Sequence, residues 1–96
     1  MITTKQRAQL RGMANHIATI LQIGKGGITD ATVQDAEQAI AARELIKGRV
    51  LETAPHTARE AAQLLAKEIG ADIVQVIGTR FVLYRPAKKP VIQLEP

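Results

Sequence analysis

Two aromatic side chains, Phe81 and Tyr84, are all that a chain of 96 residues has. Aliphatic side chains and alanine must therefore fill its core. A chain of this length makes one domain, burying about 60–65% of the surface its unfolded form exposes. Cys, Ser and Trp do not occur. That excludes disulfides, thiolate metal sites, and Cys or Ser as a catalytic nucleophile. Apolar runs reach about four residues, against roughly 20 for a bilayer-spanning helix. Polar residues follow Met1 and Ile2 at once, so no signal peptide is expected and the cytoplasm is the expected location.

The net charge of +4 is unevenly distributed. Lys5, Arg7, Arg11 and Lys25 precede the first acidic residue, Asp30. The stretch 30–44 then sets Asp30, Asp35, Glu37 and Glu44 against Arg43 alone. From Ile73 to Leu94 there is again no acid, only Arg80, Arg85, Lys88 and Lys89. Acid-free blocks at both ends favour a basic patch that attracts a polyanion, of which nucleic acid is the commonest.

Periodicity divides residues 1–86 into seven elements. Thr3 or Thr4 caps a helix running to about residue 16, with Leu10, Met13, Ala14 and Ile17 on its apolar face and Arg7 and Arg11 together on another. Residues 19–23 read as a strand ending in Gly24-Lys25-Gly26-Gly27. Thr29 caps a second helix, to about 43, that buries Val33, Ala36 and Ile40. Residues 45–51 read as a strand showing Ile46, Gly48 and Val50 on one face and Lys47 and Arg49 on the other. Thr57 and Glu60 form a capping box opening a third helix, which buries Ala61, Leu64, Leu65 and Ile69 and stops at Gly70. Strands at 73–77 and 80–85 flank a hairpin turn at Gly78-Thr79. The order α-β-α-β-α-β-β predicts an α/β fold, helices packed on a small four-stranded mixed sheet. Residues 87–96, with Pro and Lys, read as an extended tail.

The glycine turn lets backbone approach a phosphate closely, and Lys25 adds a mobile charge at its tip. It is not a Walker loop, because Gly26 follows Lys25 where Ser or Thr is needed. It is not a dinucleotide fingerprint, because Thr29 stands where the third glycine belongs. What remains is G-x-x-G, a backbone clamp of single-stranded RNA readers. No catalytic constellation accompanies it. His16, at a helix end, reads as a cap or phosphate contact, and His56 as a loop residue. Arg43 and Glu44 read as members of salt bridges. No metal or cofactor is implied.

Lys5-Gln6-Arg7, Leu10-Arg11, His16, Gln22-Ile23-Gly24-Lys25-Gly26-Gly27, Arg43-Glu44-Leu45-Ile46-Lys47, Val74-Gln75-Val76-Ile77-Gly78 and Val82-Leu83-Tyr84-Arg85-Pro86 together resemble a CRM domain, the chloroplast RNA splicing and ribosome maturation domain, in its stand-alone bacterial YhbY form. The resemblance spans roughly residues 3–86. One departure is Ala18-Thr19-Ile20-Leu21, where the family pattern leads one to expect a proline. The resemblance implies a fold similar to the C-terminal domain of bacterial translation initiation factor three. It also implies RNA binding, in bacterial members to precursors of the large ribosomal subunit. The family's glycine loop falls on Gly24, Lys25, Gly26 and Gly27, and its basic first helix on Arg7 and Arg11.

The expected function is thus non-enzymatic RNA binding, with ribosomal RNA as partner and neither membrane nor small-molecule substrate. Arg7, Arg11, Gly24, Lys25, Gly26 and Gly27 lead the candidate contacts. Lys5, His16, Lys47, Arg49, Arg80 and Arg85 follow. The alternative is a protein-interaction module using the third helix or the hairpin edge.

Overall fold

Three threonines start the three helices by the same reciprocal device. Thr3 accepts from the Gln6 amide at 3.1 Å while the Gln6 side chain accepts from the Thr3 amide at 3.0 Å, opening α1 (Thr4–Ala14). Thr29 and Thr32 do likewise for α2 (Asp30–Arg43), and Thr57 and Glu60 for α3 (Ala58–Ile69). Each box satisfies amides that the first turn leaves without intrahelical partners. Helix α3 ends on Gly70 at φ 64°, ψ 41°, the left-handed cap that glycine adopts without a steric penalty. Helix α1 stops two residues earlier than the periodicity suggests. Asn15 and His16 form a turn in which the His16 amide donates to Met13 O at 3.1 Å.

The structure, a computed structural model, describes residues 2–96; Met1, where the expected domain begins, lies outside the described residues. The helices alternate with β1 (Thr19–Ile23), β2 (Leu45–Val50), β3 (Asp72–Ile77) and β4 (Arg80–Tyr84). Strand order is β1-β2-β4-β3, with β1 parallel to β2 and the other pairs antiparallel, so this is a mixed four-stranded sheet.

Both faces of the sheet are covered, one fully and one in part. Helices α2 and α3 pack on one face through Ala36, Ile40, Ala61, Leu65 and Ile69 against Leu21, Ile23, Ile46, Phe81 and Leu83. Phe81 lies opposite Gly48 in the register, and a Cβ on Gly48 would come within 2.3 Å of the Phe81 ring. The missing side chain on β2 is thus the space that the single phenylalanine occupies. Leu64, expected in this core, is instead 42% exposed. The buried stripe of α3 runs through Ala58, Ala61, Ala62, Leu65, Ala66 and Ile69, and at 100° per residue Leu64 falls outside it.

The opposite face carries α1, whose Leu10 and Ala14 meet Leu45, Val74, Val82 and Tyr84. Residues 87–96 form neither helix nor strand, but they lie along α1 rather than apart from it. Ile92 and Leu94 join this second core, while Gln6 and Gln9 donate to Glu95 O and Gln93 O. Glu44 anchors the segment. It is 2% exposed, and its carboxylate accepts from the amides of Ala87, Val91 and Ile92, all at 2.9 Å. No ion pair among the described residues involves Arg43 or Glu44, contrary to their reading as salt-bridge partners.

Candidate nucleic-acid interface

Parallel pairing of β1 with β2 decides where the glycine turn lies. Ile23 pairs with Val50, and the Leu51 amide donates to Ile23 O, so residues 24–27 and the loop 51–57 leave the same end of the sheet. The antiparallel β2–β4 pair brings the hairpin turn there as well, with the Val50 amide donating to Thr79 O at 2.8 Å. The glycine turn is itself closed by Gly27 N–H to Gly24 O at 3.0 Å. Lys25 and Gly26 are exposed at its tip.

The same end collects cations. Arg49 on β2 stands directly opposite Arg80 on β4, and Lys47 lies two residues back along β2, on the face that α1 only partly covers. Like charges paired across strands destabilise a sheet unless something neutralises them. Among the described residues the only ion pairs are Lys5–Glu95 and Arg85–Glu37, so Lys25, Lys47, Arg49 and Arg80 have no carboxylate partner. The Arg49 Nε is buried without a hydrogen-bond acceptor. Arg11 is exposed on α1, on the opposite side of that helix from Gln9, which grips residues 93–95.

Several expected contacts have other duties. Arg7 is half-buried, and its Nη1 donates to Ile73 O, where the β3–β4 register shifts; the helix cation occupies a carbonyl beside an irregularity in the ladder. Arg85 donates to both Glu37 oxygens and, at 2.8 Å, to Ile69 O, tying β4 to α2 and the end of α3. The hydrogen bonds from Arg85 hold the Glu37 carboxyl below the ordinary carboxylate range, and the same contact raises the Arg85 guanidinium. Lys5 sits 3.4 Å from Glu95, an exposed pair. His16 is exposed after α1, at the far end of β1 from the glycine turn. Arg7 and Arg11 therefore do not adjoin the glycine turn. The sheet cations Lys47, Arg49 and Arg80 lie between.

Gly27 differs from its neighbours in the turn. It is buried at φ +69°, and a Cβ there would lie 2.9 Å from His56 Nε2 and 3.0 Å from Pro55 Cγ. Side chains at 27 strain the loop itself, whereas at Gly26 a Cβ has open space, with Thr29 Cγ2 nearest at 3.9 Å. His56, read from sequence as an ordinary loop residue, is packed against the turn. A histidine beside the proline of the loop after β2 was the available signal, but its proximity depends on the parallel β1–β2 pairing. No group of three or more metal-ligating side chains occurs among the described residues.

A partly open sheet face with unpaired cations at one end and a glycine turn at its rim characterises this small α/β domain. The model of the CRS1/YhbY (CRM) domain family matches residues 2–85, and the chain belongs to that family. It is 39% identical over 89 residues to a Bacillus subtilis protein named "Probable RNA-binding protein YqeI", covering 93% of each chain. A Haemophilus influenzae protein named "RNA-binding protein" is 34% identical over 93 residues, covering 97% of this chain and 94% of that one. The solution structure of the hypothetical protein SAV1595 from Staphylococcus aureus superposes with a TM-score of 0.83 at 38% identity, over 99% of this chain and all of the other.

Proposed function

We propose that this protein binds RNA without catalysing a reaction, and that its cellular target is ribosomal RNA in precursors of the large ribosomal subunit. The observation that carries RNA binding is the cluster of Lys25, Arg49 and Arg80, set at one end of the sheet without carboxylate partners. RNA-binding relatives over nearly the whole chain support the same reading. The glycine turn grips a phosphate through backbone approach, Lys25 adds charge at its tip, and the path continues over Arg49, Arg80 and Lys47 toward Arg11. With Tyr84 and Phe81 both buried, no aromatic platform reads a long sequence, so shape and backbone dominate recognition. An abundant, pre-folded RNA in the cytoplasm suits such a binder, and ribosomal RNA is one; the large-subunit precursor comes from the family's wider behaviour.

One observation favours a second reading. Leu64 on α3 and Ile77 at the end of edge strand β3 are 42% and 63% exposed, as a protein-interaction module would need. Salt separates the two readings. RNA affinity should fall with salt concentration on a log–log slope of about −0.7 per phosphate neutralised, and Gly26→Asp should weaken it without loss of thermal stability. A flat salt response favours the protein module. For the target, the protein should sediment in a sucrose gradient with particles near or below the mature large subunit and be released by high salt. Finding it only at the top of the gradient at low salt, during active ribosome assembly, removes the ribosomal assignment.

A further inference from the structure

Beside the glycine turn lies a groove with chemistry unlike that of the cationic face. It has a volume of about 310 Å³ and runs between the start of α2 and the outer side of α3. Ile28, Val33 and Leu64 supply apolar wall, Asp30 and Glu68 supply carboxylates, and His56 closes the end next to Gly27. His56 also walls two adjoining depressions, one along α3 and one toward the Gly78-Thr79 turn, so its half-buried ring is reachable from several sides.

These features restrict the occupant. A second phosphate is excluded, because Asp30 and Glu68 would repel it. A flat, neutral ring is not: apolar side chains cover its face, and histidine stacks on bases in RNA readers. Carboxylates accept hydrogen bonds from exocyclic amino groups, which adenine, cytosine and guanine carry and uracil lacks. The groove starts at Ile28, the residue after the turn, so a nucleotide with its phosphate on the turn has its base beside the groove. Leu64, the leucine of α3 that stays out of the core, then has a burial partner.

We infer that the groove between α2 and α3, walled by His56 and Leu64, is a nucleobase pocket that admits one amino-bearing base of the RNA strand held at the glycine turn. The inference rests on the RNA-binding reading and adds base selection to it.

Fluorescence anisotropy on the full chain tests it, using short oligo(A), oligo(C), oligo(U) and an oligo(A) with abasic positions as probes. The protein should bind oligo(A) and oligo(C) about fivefold or more tightly than oligo(U), the range of one hydrogen bond to a charged group, and than the abasic probe, the range of one stacked base. His56→Ala with Leu64→Gln should erase that difference, as should Asp30→Asn with Glu68→Gln. Gly26→Asp should weaken all four probes by a similar factor. Equal affinity for all four probes, with Gly26→Asp still weakening them, overturns the pocket and leaves the clamp standing. A preference that survives either double substitution in protein of unchanged thermal midpoint also overturns it. A preference lost in the double variants but insensitive to Gly26→Asp keeps the pocket and removes the clamp. No binding to any probe overturns both.

Discussion

The two ends of the sheet treat charge in opposite ways. At the end where β4 finishes, three charged side chains of the framework are held by hydrogen bonds. Arg85 is bound to Glu37 and Ile69 O, Arg7 to Ile73 O, and Glu44 to three amides of residues 87–92. At the end where β1 and β2 finish, Arg49 faces Arg80, and Arg49 Nε is buried without an acceptor. Both ends contain arginine. The difference teaches that charge density alone does not single out one end, and the proposed RNA path is assigned to the end where arginine faces arginine. A fold that can pair Arg85 with two oxygens of one glutamate has the means to neutralise its cations, and leaves these without a carboxylate.

The sharpest test of that contrast exchanges arginine for glutamate at each end. Arg49→Glu with Arg80→Glu should reduce RNA affinity by about two orders of magnitude at low salt, since two phosphate contacts become repulsions. Folding should be little affected, because a cross-strand repulsion is merely replaced by another. Arg85→Glu should do the reverse, leaving affinity within about twofold while lowering the thermal midpoint. Comparable affinity losses at the two ends would break the contrast.

Glu44→Ala is the next largest perturbation. It removes the acceptor of three amides and should cost about 1–3 kcal/mol, with faster hydrogen exchange at Ala87, Val91 and Ile92 and unchanged RNA affinity. Burial alone would raise the Glu44 carboxyl, but the amides of Ala87, Ile92 and Val91 outweigh it and hold it below the usual 4.5. A carboxyl depressed by folding stabilises the fold fully above its unfolded value and loses that contribution as pH falls through the folded one. The thermal midpoints of wild type and Glu44→Gln should therefore converge below pH 4.5, having been apart at pH 7. A gap that stays constant to pH 3 would show that the carboxylate charge is irrelevant to the anchor.

Lys5→Ala should have the smallest effect, under about 0.5 kcal/mol, because its pair with Glu95 is exposed on both sides. A larger loss would mean that the contact of α1 with residues 93–95 depends on its surface pair as well as on its hydrogen bonds.

Most of the fold was legible in the sequence because its signals are local. Thr3, Thr29 and Thr57 announce helix starts, Gly70 a helix stop, and Gly78 a hairpin, each within four residues of the structure it determines. The parts that were not legible depend on residues far apart in the chain. Arg7 looks like any solvated helix cation until a register shift 66 residues on frees the Ile73 carbonyl. Glu44 looks like half of a surface pair until residues 87–92 return to it. Leu64 fits a helical apolar pattern as well as Leu65 does, and only the full alanine stripe of α3 shows which side is buried. Of the candidate site, the glycine turn was visible as a motif, whereas Arg49 opposite Arg80 required the strand order. His56 against Gly27 required the parallel pair.

The strand order also bears on how the molecule assembles as it is synthesised. β1, α2 and β2 can form a parallel unit early, but the other neighbour of β2 is β4, the last of the four strands in sequence. Until Phe81 emerges, the bare backbone at Gly48 leaves a slot in the growing layer, and Ile46 and Ile40 have no ring above them. The β3–β4 hairpin is local in sequence, and its Phe81 fills that slot when β4 pairs with β2. Closing the sheet therefore waits for residues 80–84. A nascent copy stalled before residue 81 would present an open β2 edge to its neighbours, and truncation there should produce aggregation rather than a smaller stable domain.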